Sequence, residues 1–105
     1  MSYLQEKQRI RLFITDGDGS IDLTCELYGV SPTWAIDEPA DEIWRANIVQ
    51  VHDYAIETGR TKIPIIWALA HRVNTTLNLY LKENKWYAKA AGASEIMEAR
   101  IIGVN

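Results

Sequence analysis

The chain has 105 residues, 48% of them hydrophobic, with 14 acidic against 11 basic side chains and a net charge of −3. That is the size and balance of one domain, residues 1–105, with core enough to fold without disulfide or metal. The acidic balance disfavours broad nucleic-acid binding, and the single cysteine, Cys25, excludes an internal disulfide and a cysteine-based zinc cage.

The first element in chain order is a hairpin. Residues 21–27 read Ile-Asp-Leu-Thr-Cys-Glu-Leu in strict alternation, and residues 10–14 read Ile-Arg-Leu-Phe-Ile with Ile10, Leu12 and Ile14 in phase, on either side of Asp16-Gly17-Asp18-Gly19. A two-residue turn at Gly17-Asp18 pairs Ile14 with Ile21, Leu12 with Leu23 and Ile10 with Cys25. All six then share one face, and Arg9 meets Glu26 on the other. The stretch TDGDGSID from Thr15 to Asp22 also resembles half of a calcium loop. With Gly19 at loop position 6, position 1 is Ile14 and position 12 is Cys25. Starting at Asp16 instead leaves Ile21 at position 6 and Leu27 at position 12. Neither register supplies the ligand set, so the stretch reads as a turn.

A linker over residues 28–33 follows. Residues 38–58 then carry helical spacing, with Trp44, Ile48, Val51 and Ala55 on one face, Asp37 as N-cap, Pro39 in the first turn and Gly59 as the stop. A second helix is expected from residues 61–64 to about Asn84, with Ile66, Ala70, Val73, Leu77 and Tyr80 as its buried stripe. Lys85 to Ala91 is alanine-rich and helix-prone, with Gly92 as a break, and Met97 to Ile101 alternates as a third strand, with a short helix capped by Ser94 as the alternative. The expected fold class is α+β: a small antiparallel sheet, built from the N-terminal hairpin and the C-terminal strand, packed against two main helices in the order ββααβ.

No complete catalytic set is visible. His52 and His71 are the only histidines, one on each expected helix, and no nucleophile is tied to either by spacing. Cys25 falls on the inward strand face, where a thiol behaves as a small hydrophobe. Glycine-rich phosphate loops and zinc-ligand spacings are absent, so neither metal nor cofactor is expected. The most function-like arrangement is a flank of the second expected helix, Trp67, His71, Asn74 and Asn78, where an aromatic lies beside hydrogen-bonding groups as on a partner surface or a pocket wall. A second candidate surface is the acidic cluster Asp37, Glu38, Asp41 and Glu42. Lysines 82, 85 and 89 flank Trp86 and Tyr87, a pattern that can grip single-stranded nucleic acid, against the sign of the net charge.

The sequence therefore leads to the expectation of a non-enzymatic protein–protein interaction module. It would occupy a surface of a macromolecular partner or self-associate as a homodimer, in the manner of viral or mobile-element accessory and inhibitor proteins. The four tryptophans suit that reading. The alternative is a small-ligand-binding domain or minimal enzyme with a pocket beside His71, and the third reading is a weak nucleic-acid binder. The stretch MSYLQEKQRI has no apolar signal core, and no run of about 18 apolar residues occurs. A cytoplasmic location away from membranes is expected.

Overall fold

The computed structural model describes residues 4–17, 19–31, 40–56, 65–71, 75–90 and 95–104, without the side chains of Ser31, Ile65, Trp67 and Ala68. Six antiparallel strands form a closed barrel in simple chain order: β1 (Arg9–Asp16), β2 (Gly19–Ser31), β3 (Glu42–Ile56), β4 (Thr76–Lys82), β5 (Lys85–Ala90) and β6 (Met97–Val104). Pairing of β6 with β1 closes the ring. The one helix among the described residues is α1 (Ile65–Ala70), between β3 and β4.

The N-terminal hairpin has the expected register. Ile10 faces Cys25, Leu12 faces Leu23, Ile14 faces Ile21, and Asp16 faces Gly19 across the turn. All six apolar residues of that face are buried in the barrel core. The strand at Met97 is present too and runs on to Val104.

The α+β class and the two long helices do not stand: the first stretch is strand from Glu42 to Ile56, and the second holds only the short helix Ile65–Ala70 before the strand Thr76–Lys82. In β3 the reason is a pair of bulges. The β2–β3 register shifts between Asp22 and Leu23 and again between Thr24 and Cys25, which leaves His52 and Val49 of β3 as extra residues. Each extra residue flips the phase of the strand. Trp44, Ala46 and Ile48 face inward in steps of two, and then Val51, opposite Leu23, packs against the same core. Residues 44, 48 and 51 are thus spaced by four and three, which reads as a helical stripe, while Ala55, the last residue of the expected stripe, is exposed. Ala46 separates the two templates, because it is buried in the core and would lie off the helix face.

The second expected helix is two elements run together. Ile66 and Leu69 of α1 are buried at helical spacing, after which β4 buries Leu77 and Leu79 inward and Tyr80 on its opposite side. β5 takes the alanine-rich stretch as a strand because the barrel needs small residues there. Ala88 faces Leu79, Ala90 faces Leu77, and around the ring Ala46 faces Leu27 while Ala99 lies between Ile14 and Trp86. Large-against-small pairing fills a narrow barrel, and it overrides the modest helix preference of alanine. Each fully buried leucine or isoleucine contributes about 1.5–3 kcal/mol of transfer free energy. This inward row is the main source of stability. On the outer side of the sheet Ile43 and Tyr80 form a second buried cluster, in one row with Tyr87 across β3, β4 and β5, with the two tyrosine rings stacked at 5.4 Å.

Candidate functional site

Alternation fixes what the barrel shows to its surroundings. With Ala88 and Ala90 turned inward, β5 turns Lys85, Tyr87 and Lys89 outward; with Met97, Ala99 and Ile101 inward, β6 turns out Glu98 and Arg100. Phe13 and Arg11 are the outward residues of β1 beside them, Phe13 opposite Arg100 and Arg11 opposite Gly103.

The β5–β6 ladder has three pairs, Ala88 with Met97, Tyr87 with Glu98, and Trp86 with Ala99. One step further would set Lys85 opposite Arg100, two cations face to face, which is unfavourable across a strand pair. The chain turns away instead. Glu83 and Asn84 adopt positive φ of 53° and 66°, the two-residue turn that returns β5 against β4. Lys82 faces Lys85 across that turn. Asp41 braces it from the side, its Oδ2 accepting a 3.3 Å hydrogen bond from the Glu83 N–H.

β6 does not stop with the ladder. From Arg100 to Val104 it is paired with β1 on one side, while its other edge carries no strand among the described residues. The register with β1 shifts between Arg11 and Leu12, which leaves Ile102 as a bulged residue, and Ile102 and Val104 are 50% and 37% exposed. Along this free edge lies a groove of about 810 Å³, floored by Trp86, Tyr87, Ile101 and Phe13 and rimmed by Lys85, Glu98 and Arg100. The Arg100 guanidinium sits 5.5 Å from the centroid of the Phe13 ring, an exposed cation–π contact that holds the charge over the groove. Among the described residues neither Lys85 nor Arg100 has a carboxylate within ion-pair distance. A free strand edge, an aromatic floor and two cations without a counter-ion can bind an extended, polar-backboned chain.

The residues singled out from sequence do not converge there. The helix meant to align Trp67, His71, Asn74 and Asn78 ends at Ala70. The Trp67 side chain and Asn74 lie outside the described residues. His71 follows α1 and packs edge-on to Tyr54 at 5.6 Å, while Asn78 is on β4, between Arg45 and Lys89. Asp37 and Glu38 lie outside the described residues as well. Glu42 starts β3 and accepts a hydrogen bond from the Trp44 indole, so Asp41 and Glu42 do not open a helix. Trp86, Tyr87 and Lys85 were visible as an aromatic-basic cluster. Phe13, Arg100 and Ile102 carried no local signal, since only barrel closure brings residues 13 and 100 together.

Elsewhere on the outer face, Arg11 grips Asp22 with two hydrogen bonds of 2.7 and 2.9 Å, and Thr24 Oγ1 lies 2.7 Å from His52 Nε2. Cys25 points into the core, and burial pushes its thiol up to about 12, so it stays protonated and does not pair with His71 as a nucleophile. Among the described residues no group of three or more His, Cys, Asp or Glu side chains could hold a metal ion, and no helix is long and apolar enough to cross a membrane. Comparison of the chain with protein-family models, with curated proteins and with solved structures gave no match.

Proposed function

We propose that this barrel is a non-enzymatic protein-interaction module whose docking face is the free edge of β6 and the groove beside it. The observation that carries the reading is the mismatch between strand and ladder: β6 runs to Val104, but its pairing with β5 ends at Ala99. An open edge is a template for another chain, and proteins that have no use for one blunt it with charges, proline or a cover. Here the edge carries Arg100 and the bulge at Ile102, and it still exposes Ile102 and Val104 beside an aromatic groove.

A photo-crosslinking amino acid at position 102 tests this, with the same group at Gln50, exposed on the outer face of β3, as control. The reading expects one dominant adduct from position 102, either with a single partner or with a second copy of the chain, and none from position 50. The adduct species, once purified, should lose binding to an Ile102→Glu variant. Equal labelling from both positions, or none from either, would overturn it.

A further inference from the structure

We infer that the occupant of the β6 groove is an extended acidic segment of a partner protein, which adds as a strand to the edge of Arg100–Val104 and sets a carboxylate between Lys85 and Arg100. This inference rests on the docking reading above and adds the chemistry of the ligand.

Three observations select that chemistry. The first is charge. Lys85 and Arg100 rim the groove with a single acid, Glu98, and Lys82 faces Lys85 across the turn, so cations outnumber carboxylates at this corner of a chain whose net charge is −3. The barrel's own strands leave the Lys85–Arg100 pair without a counter-ion among the described residues. A carboxylate on an incoming strand would supply it, and it would satisfy two cations that otherwise repel. The second is the backbone. At about 3.3 Å per residue the free edge offers roughly 15 Å of main-chain donors and acceptors, enough for a short strand. That alternating row of donors and acceptors is matched by another peptide main chain, whereas a phosphate offers acceptors alone. The third is the state of the rings. Tyr87 is stacked on Tyr80, and one face of Phe13 lies under Arg100. These rings are therefore poor stacking platforms for bases, and they give instead an apolar floor for alternate side chains of a strand.

The expected ligand alternates apolar and acidic residues. Its apolar side chains would pack toward Trp86 and Ile101, and its carboxylates would face Lys85 and Arg100. Specificity then lies in sign and spacing, with the main chain supplying affinity that tolerates sequence.

The experiment is a binding titration by fluorescence anisotropy on the full chain. The probe is a labelled peptide of about eight residues alternating valine and glutamate, long enough to span the edge. It is compared with the same peptide carrying lysine for glutamate, with its backbone N-methylated form, and with a labelled oligothymidylate. The inference expects the glutamate peptide to bind at least about tenfold more tightly than the lysine peptide. It expects N-methylation to abolish binding and the order of the two peptides to reverse in the Lys85→Glu/Arg100→Glu variant. A circular dichroism spectrum and melting curve matching the parent confirm that this variant is folded. Equal affinity for both peptides, no binding of the glutamate peptide, or binding insensitive to N-methylation would each overturn the inference. So would preferred binding of oligothymidylate with steep salt dependence. A self-adduct from position 102 would also overturn it, while leaving the interaction reading in place. Absence of any adduct at position 102 removes that reading as well, so the two failures are distinct.

Discussion

At the scale of single residues, the outer face of the barrel is held by specific polar contacts, of which Arg11 with Asp22 is the tightest. The two hydrogen bonds from Arg11 hold the Asp22 carboxyl below its ordinary range. Burial opposes them more weakly, and the positive charge of Arg11 adds a smaller effect in the same direction as the hydrogen bonds. A carboxyl whose pKa is depressed by folding adds stability above its unfolded value, near 3.9, and loses that contribution as pH falls through the folded value. The expected outcome for Asp22→Asn is a lower urea midpoint than the parent that is constant from about pH 7 to 5, with the gap closing below about pH 4. A gap that persists at low pH would mean that the asparagine acts through packing and not through the lost charge. The same ladder sets Asp53 opposite Asp22, so the Arg11 fork also keeps two facing carboxyls compatible with pairing. Gly19 is fixed by close approach: a Cβ there would run into the backbone carbonyl of Ala55 on β3, so the β1–β2 turn and the far end of β3 can sit together only with glycine.

At the scale of elements, turns and bulges decide more than propensity does. The β4–β5 turn holds Glu83 in the left-handed region, where a side chain costs about 1 kcal/mol that glycine does not. Glu83→Gly should therefore raise stability by roughly 0.5–1 kcal/mol in chemical denaturation, and it keeps the backbone N–H that bonds Asp41. Unchanged or lower stability would show that the glutamate side chain makes a compensating contact. The β1–β2 hairpin was legible because its inward residues keep a period of two on both strands and its turn length agrees with its register. β3 was not, because its bulges at Val49 and Val51–Asp53 turn a period of two into a mixture of threes and fours. β5 was misread because alanine reports helix preference locally, while its use here is to make room for Leu77 and Leu79 across the ladder. The candidate site was half legible. Lys85, Trp86 and Tyr87 lie together in sequence, whereas Phe13 and Arg100 are joined only by the closing ladder. The free edge at Arg100–Val104 follows from where a neighbouring strand ends, which no periodicity reports.

At the scale of the whole molecule, the first and last strands are partners, so the core is complete only when the ring is closed. β6 supplies Met97 and Ala99 to the interior and the second ladder to β1. Removing residues 97–105 is expected to abolish the cooperative urea transition and the near-ultraviolet circular dichroism of the buried aromatics, and not merely to trim one edge. A truncated chain that still unfolds in one sharp transition would show that five strands suffice. Such first-to-last pairing also places folding in the slow range of roughly milliseconds to seconds, since a long loop must close before the seam is rewarded. The seam has a mechanical consequence as well. Because β1 and β6 are antiparallel, Ile10 sits opposite Val104, and the two ends of the barrel chain leave from the same end of one ladder. Tension applied between them loads the hydrogen bonds of that ladder one after another, so the barrel opens as a zipper under weak pull. A partner strand on the outer edge of β6 would stiffen the strand that must peel first.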